Sequence, residues 1–222
     1  MPGSFGASKA RRSPTGMPVC SPRCFFFWAS PPSSSTSWPS NPARTSMALL
    51  AITYPDLKEK DYQWIQSIRE KYDQPDYKVI GPHFTLVFPV EGVDDDAFIE
   101  HVRAISREST AFTFQLRCVV IVYSKWAKRW LLFLAPDDGY SKLVDLHTRL
   151  YTGPLRGKGR FEEPYVPHIT VGKFSDRELA RDTADALNAD EIRVEGSVRT
   201  IDIIDYTEGE TKSIDRFELR PD

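Results

Sequence analysis

From residue 47 onward the apolar residues follow two spacings, and the changes between them divide the chain into predicted helices and strands. Apolar residues three or four positions apart are typical of an amphipathic helix, whereas short runs rich in Val, Ile and aromatic residues are typical of strands. The helical spacing covers residues 57–73, 94–109, 141–151 and 175–188. The predicted strands cover residues 48–54, 83–90, 112–123, 130–135, 167–174, 192–206 and 212–219.

This order of segments predicts an α+β fold, with antiparallel or mixed sheets and helices packed against them. The acidic run Asp94–Asp96 suits the positive end of a helix dipole. Ser175, followed three residues later by Glu178, resembles a capping box and predicts the start of the last helix. A basic hairpin loop at 124–129 and a turn at 208–210 are predicted to join neighbouring strands.

The first 46 residues lack a periodic apolar pattern and contain eight of the 17 prolines and eleven serines. A packed fold is therefore not expected there, and the predicted domain spans residues 47–222. Three interpretations stay open: a translation start placed upstream of Met47, a disordered tail, or an organellar transit peptide, which the basic, acid-free composition resembles. The apolar run 24–29 is too short and too far from the N-terminus to be a secretory signal.

The charge distribution limits the classes of ligand. The chain carries 29 basic and 31 acidic residues, and five of the basic ones precede residue 47, where no acidic residue occurs. The predicted domain is therefore acidic, which disfavours binding of long nucleic acids by charge alone. A small phosphate ligand in a local basic pocket is compatible with this balance.

Cysteine content and hydropathy bear on the compartment. Three cysteines, Cys20, Cys24 and Cys118, indicate a reducing environment, and Cys118 is expected to be a buried thiol within a strand. No apolar run approaches the roughly 18 residues that span a bilayer. We therefore expect no membrane association and a cytoplasmic location, or an organellar one if residues 1–46 are a transit peptide.

An internal repeat is the strongest chemical signal. The segment 82–86 reads Pro-His-Phe-Thr-Leu, and 85 residues later the segment 167–171 reads Pro-His-Ile-Thr-Val. Because side chains alternate along a strand, each histidine shares a face with the threonine two positions on, while the apolar residues face the core. We call the residues from Pro82 to Leu86 the first motif and those from Pro167 to Val171 the second motif.

Two imidazoles and two hydroxyls suit the cleavage of a phosphodiester. The attacking oxygen loses a proton on one side of phosphorus, and the leaving oxygen gains one on the other side. His83 and His168 are predicted to be this acid and base, because an imidazole titrates near neutral pH. Thr85 and Thr170 are predicted to donate to the non-bridging phosphate oxygens. The sequence contains no metal-binding or nucleotide-activation motif, so neither a metal nor a cofactor is predicted.

These residues resemble the two-histidine (2H) phosphoesterase superfamily, which includes 2′-5′ RNA ligase-like proteins and cyclic phosphodiesterases. The resemblance rests on His83-Phe84-Thr85-Leu86 and His168-Ile169-Thr170-Val171 and covers about residues 47–219. It implies two pseudo-symmetric lobes around a central cleft, with helices on the outside. It also implies a nucleotide or RNA-end substrate that contains a 2′,3′-cyclic phosphate or a 2′-5′ or 3′-end phosphodiester. The open alternatives are a 2′-5′ RNA ligase working by the reverse reaction and a non-enzymatic RNA- or nucleotide-binding module.

Four further residues are candidate substrate contacts. Tyr165 could stack on a base or sugar or simply pack, and Lys158 and Arg160 belong to a glycine-interrupted basic loop before the second motif. Lys173 follows the second motif, but alternation along the strand leaves its direction undecided. Because the site is made within one chain, we expect a monomer.

Overall fold

The computed structural model of the 222-residue chain describes residues 49–159, 164–207 and 210–222. Its strands are β1 (Leu49–Thr53), β2 (Asp56–Leu57), β3 (Phe84–Val87), β4 (Phe112–Ser124), β5 (Arg129–Asp138), β6 (Ile169–Phe174), β7 (Val194–Val198), β8 (Thr200–Thr207) and β9 (Glu210–Glu218). Its helices are α1 (Glu59–Tyr72), α2 (Asp76–Val79), α3 (Asp95–Glu108), α4 (Tyr140–Leu150) and α5 (Arg177–Asn188), and a 3₁₀ turn covers Gly153–Leu155.

The strands form two antiparallel sheets. One has four strands in the order β3-β1-β8-β9, and the other has five in the order β2-β7-β4-β5-β6. The strand that follows each motif histidine, β3 or β6, is therefore an edge strand of its own sheet. The predicted α+β class with antiparallel sheets is confirmed.

The helices bury narrow apolar faces against the sheets. In α4 the buried side chains are Leu143, Leu146 and Leu150, which recur at the three- and four-residue spacing of one helix face. Helix α3 buries Phe98 and Val102 in the same way. Fully burying a side chain of this size stabilises the fold by roughly 1.5–3 kcal/mol. These faces belong to one continuous hydrophobic core that extends to both sheets.

Two local predictions need correction. The predicted strand 192–206 is two strands, β7 and β8, because the chain leaves one sheet at Arg199 and enters the other. Helix α5 is capped by Asp176 and not by Ser175: the Asp176 side chain accepts a hydrogen bond from the backbone amide of Leu179 at 2.7 Å. The predicted helix start after Asp94 is confirmed, since Asp94 accepts from the amide of Ala97.

Cys118 is exposed, so its predicted burial is also wrong. The register between β4 and β5 shifts on both sides of Leu116, and both Arg117 and Cys118 face solvent. Such an irregularity breaks the two-residue alternation along β4, so Cys118 does not share the buried face of Phe114 and Leu116. Residues 1–46 and most of the predicted turn 208–210 lie outside the described residues. Within the described part of the chain, no helix is long and apolar enough to cross a membrane.

Candidate functional site

The two motif histidines make the same local contact. Nδ1 of His83 lies 2.8 Å from the carbonyl oxygen of Gly81, and Nδ1 of His168 lies 2.6 Å from that of Val166. A carbonyl oxygen only accepts hydrogen bonds, so in each ring Nδ1 carries the hydrogen and donates it. The Nε2 atom of each neutral imidazole is therefore the one with a lone pair available for proton transfer.

The two motifs also match in burial. In both copies the proline and the two apolar residues are buried, whereas the histidine and the threonine between them are half-buried. The first copy is Pro82, His83, Phe84, Thr85 and Leu86, and the second is Pro167, His168, Ile169, Thr170 and Val171. The predicted sharing of one face by each His and Thr pair agrees with this pattern.

A β-bulge repeats at the same place in both motifs. In the first sheet Ile52 pairs with Thr85 and Ala51 with Val87, which leaves Leu86 as an extra residue. In the second sheet Phe133 pairs with Thr170 and Leu132 with Gly172, which leaves Val171 as the extra residue. A bulge of this kind changes the face to which the following side chains point.

The second bulge decides the direction of Lys173. Without a bulge, Lys173 would share the face of the buried residues Ile169 and Val171. With it, burial along β6 reads buried, half-buried, buried, buried, half-buried, buried, so Lys173 falls on the face of Thr170. The equivalent position after the first bulge is Phe88, which is also half-buried.

The two motifs meet at a small cavity of about 130 Å³. Its wall includes His83 of the first motif and Thr170 of the second, so the fold brings the two halves of the repeat to one place. The remaining lining residues are Arg69, Asp73, Asp76, Ile80, Pro82, Ile169 and Lys173.

Both histidines are poised to be neutral in the free protein. Burial lowers the pKa of His83 to about 4; the positive charges of Arg69 and Lys173 add to this effect, and the hydrogen bond to Gly81 opposes it. Burial likewise lowers the pKa of His168 to about 4, opposed by the hydrogen bond to Val166, and the charge of His83 lowers it further. A protonated imidazole at either position therefore needs a negative partner, which a bound phosphate supplies.

Aromatic rings fix the orientation of both imidazoles. The ring of Phe133 stacks on His168 with 3.4 Å between centroids and 14° between planes. Tyr54 meets His83 edge-on at 6.3 Å. Sequence reasoning did not identify either aromatic residue, because each lies on a neighbouring strand or its end and not within a motif.

Tyr165 ties the segment before the second motif to the strand of the first. Its hydroxyl donates to the carbonyl oxygen of Thr85 at 2.9 Å, and its ring stacks on His147 at 3.6 Å. Nδ1 of His147 lies 2.7 Å from the carbonyl oxygen of Leu86. Burial raises the pKa of the Tyr165 phenol, so it stays a hydrogen-bond donor. A role of Tyr165 in stacking on substrate stays a prediction.

The basic loop is only partly described. The ammonium of Lys158 donates to the carbonyl oxygens of Glu91 and Gly92, at 3.1 and 3.4 Å, and Lys158 does not line the cavity beside His83. Arg160 lies outside the described residues. Substrate contacts by either residue stay predictions.

Lys173 instead joins a group of charges that sequence reasoning missed. Its ammonium lies 3.2 Å from Oδ1 of Asp73 and also contacts Asp76, while Arg69 holds the other oxygen of Asp73 at 2.9 Å. We call these four residues the charged cluster. The helical spacing could have indicated this cluster. Arg69 follows the apolar Ile65 by four residues on α1, which predicts a charged side chain on the apolar face of the helix. Among the described residues, no group of three or more His, Cys, Asp or Glu side chains is placed to hold a metal ion.

The chain is similar to several known proteins. A family model described as the 2′-5′ RNA ligase superfamily matches residues 56–210. A protein of Bacillus licheniformis, provisionally named a phosphoesterase, is 31% identical over 130 residues, which are 57% of this chain and 72% of that protein. A similarly named protein of Halalkalibacterium halodurans is 27% identical over 140 residues, 62% of this chain and 78% of its own.

Solved structures show the same fold. Escherichia coli LigT complexed with 3′-AMP has a TM-score of 0.51 at 18% identity, over 78% of this chain and 98% of that one. Kluyveromyces marxianus Usb1 has a TM-score of 0.51 at 11% identity, over 79% of this chain and 100% of its own.

Proposed function

Because the chain belongs to the 2′-5′ RNA ligase superfamily, we propose that it is a metal-independent phosphodiesterase with His83 and His168 as its acid–base pair. Its substrates are 2′,3′-cyclic phosphates or 2′-5′ or 3′-end phosphodiesters of RNA. The observation that carries the proposal is the matched pair of Nδ1 contacts to Gly81 and Val166, which leaves Nε2 of both imidazoles for proton transfer.

The reaction requires one neutral and one protonated histidine. In hydrolysis of a cyclic phosphate, the neutral imidazole takes a proton from water as the water oxygen bonds to phosphorus. The imidazolium gives a proton to the ribose oxygen as its bond to phosphorus breaks. Bound phosphate stabilises the imidazolium, because a nearby anion raises the pKa of a histidine. Each group contributes about 10²–10⁴-fold to such a rate.

The threonines and the cavity support this assignment. Thr85 and Thr170 lie two residues from the histidines with the same partial burial, where their hydroxyls can donate to the non-bridging oxygens. Thr170 lines the cavity together with His83, whereas His168 and Thr85 are not among its lining residues. The complex of Escherichia coli LigT with 3′-AMP makes that nucleotide a rational first ligand to test here.

The test is turnover of 2′,3′-cyclic mononucleotides and of 2′-5′-linked dinucleotides by the full chain and by His83→Ala and His168→Ala. We expect each variant to lose about 10²–10⁴-fold in kcat. The double variant should lose little more, because an acid–base pair acts as one unit. His101→Gln is the matched control and should leave kcat unchanged. His101 lies outside the cavity, where its Nε2 contacts the carbonyl oxygen of Leu150.

The products separate the alternatives. Hydrolysis yields nucleoside monophosphates. A 2′-5′ RNA ligase instead carries out the reverse of the cleavage reaction and joins a 2′,3′-cyclic phosphate end to a 5′-hydroxyl end without ATP. Binding of 3′-AMP with no turnover in the wild-type protein would instead identify a nucleotide-binding module and refute the enzymatic proposal.

A further inference from the structure

The charged cluster buries ions next to a proposed catalytic residue. Arg69 is 2% exposed and Asp73 is 1% exposed, although both are charged. Removing such ions from water costs several kcal/mol each, and a hydrophobic replacement is often no less stable. Stability alone is therefore a weak reason for the cluster, and its position beside His83 suggests a role in the site.

The cluster joins two segments that are distant in sequence, residues 69–76 and strand β6. Asp73 caps the end of α1, Asp76 begins α2, and Lys173 lies on β6 in the other half of the repeat. Contact between Lys173 and the two carboxylates depends on the bulge at Val171, which turns the lysine toward the cavity.

The same cluster reaches the backbone that orients His83. Arg69 holds Asp73 and also donates to the carbonyl oxygen of Ile80 at 2.8 Å. The next residue, Gly81, supplies the carbonyl oxygen that accepts from Nδ1 of His83. A chain of direct contacts thus leads from Lys173 of one half to the imidazole of the other.

One atom of the cluster is left incompletely satisfied. Oδ1 of Asp73 is buried without a hydrogen-bond partner among the described residues, although the Lys173 ammonium lies 3.2 Å away as an ion pair. Burial raises the pKa of Asp73, and the charges of Lys173 and Arg69 oppose that rise. The Asp73 carboxylate therefore depends on Lys173 to compensate its charge, and it holds the Lys173 ammonium at the cavity wall.

We propose that Asp73 is a positioning residue that holds the Lys173 ammonium at the cavity wall. This proposal rests on the proposed function, since the ammonium would face the phosphodiester that the two histidines cleave. Lys173 touches the phosphate, and Asp73 acts through Lys173 without touching the phosphate itself. Asp76 shares the task from the more exposed side of the cluster, with a side chain that is 29% exposed.

A double-mutant cycle tests this assignment. In Asp73→Asn we expect kcat/KM to fall by roughly 10–100-fold, because misplacing a catalytic group by about 1 Å can cost about 100-fold. Lys173→Met should lose about 100-fold or more, as expected when a donor to a transition-state oxygen is removed. If Asp73 acts through Lys173, adding Asp73→Asn to Lys173→Met should change kcat/KM by less than about twofold.

Asp61→Asn is the matched control, since Asp61 is a second buried carboxylate on α1 that does not line the cavity. It should leave kcat/KM unchanged alone and in the Lys173→Met background. Losses that multiply in the Asp73→Asn, Lys173→Met double variant would overturn the proposal and make Asp73 a structural residue.

Two further readouts keep the test decisive. If Asp73→Asn does not fold, the same cycle with Asp76→Asn replaces it, and multiplicative losses there overturn the proposal equally. The pKa of His83, measured by NMR, should be higher in Lys173→Met than in the wild type, because the charge of Lys173 lowers it. A wild-type protein that cleaves no phosphodiester refutes the proposed function, whereas an active wild type with multiplicative losses refutes only the role of Asp73.

Discussion

The hydroxyl of Tyr165 donates to the carbonyl oxygen of Thr85 across the boundary between the two halves of the repeat, at 2.9 Å. Thr85 belongs to the first motif, whereas Tyr165 lies three residues before the second histidine. The bulge in β3 takes Leu86 out of the regular pairing with β1. The carbonyl oxygen of Leu86 contacts Nδ1 of His147, and the ring of His147 stacks on Tyr165. These contacts fix the separation of the motifs as well as their individual shapes.

Tyr165→Phe should lower both stability and kcat. The phenylalanine keeps the stacking on His147 but leaves the Thr85 carbonyl oxygen without its donor, which costs about 1–3 kcal/mol of unfolding free energy. We expect kcat for a 2′,3′-cyclic nucleotide to fall by about tenfold, since small displacements of catalytic groups are costly. Urea unfolding and steady-state kinetics check the two effects. Tyr123→Phe, at an exposed tyrosine, is the control, and an equal effect of both variants would contradict the role of Tyr165.

Thr85→Val and Thr170→Val should each reduce kcat with little change in stability. Valine keeps the β-branched shape that a strand favours and removes only the hydroxyl. Loss of one donor to the transition-state oxygens costs about 10²–10³-fold in kcat in comparable sites. Kinetics with cyclic nucleotides and thermal unfolding check both statements. Thr113→Val, at an exposed position of β4, should retain full activity, and unchanged turnover in both motif variants would remove the threonines from the site.

The sequence was sufficient to locate the two motifs because their signal is local. Histidine, threonine and their apolar neighbours all lie within five consecutive residues, and strand alternation predicts their faces. The direction of Lys173 was not predictable in this way. It depends on a bulge against Leu132 and Phe133 of β5, and a pairing irregularity is not encoded in the alternation of β6 alone.

Other features required knowledge of which segments meet. The segment 192–206 is rich in β-branched residues on both sides of Arg199 and contains no proline, so the passage of the chain between sheets was not predicted. The pairing of Asp73 with Lys173 joins residues one hundred positions apart. Such contacts follow from tertiary packing, whereas helix α3 and its acidic start follow from neighbouring residues and were predicted.

Gly172→Ala should weaken both folding and substrate binding. A Cβ at this position would lie 2.8 Å from the Phe174 ring and 3.2 Å from Cβ of Tyr72, so α1 and β6 would have to separate. Overpacking of this kind typically costs about 1–3 kcal/mol. Because Lys173 is the next residue, KM should rise together with the fall in thermal midpoint. In Gly81→Ala the new Cβ would meet nothing closer than 3.5 Å, so this variant should stay near wild-type stability. A higher midpoint in Gly172→Ala would show that the sheet and helix have room to spare.

Acid should destabilise the wild-type protein through its two motif histidines. Burial lowers the pKa of His83 and His168 to about 4, below their ordinary value near 6.5. Between these values the unfolded chain binds protons that the native state does not, so the unfolding free energy falls as pH decreases from about 6.5 to 4. The loss should be on the order of 1–3 kcal/mol per histidine.

The His83→Gln, His168→Gln double variant removes this contribution and isolates it from the carboxylates that titrate in the same range. Urea unfolding of both proteins at intervals from pH 4 to pH 7 should give a steeper dependence for the wild type, and the two curves should run parallel above about pH 7. Because the charge of His83 lowers the pKa of His168, each single variant should remove its own contribution together with this interaction, which is more than half of the extra slope. Equal slopes for wild type and double variant would mean that the imidazoles accept protons as freely in the native state as in the unfolded chain. In that case the neutral pair from which the acid–base mechanism starts would be lost.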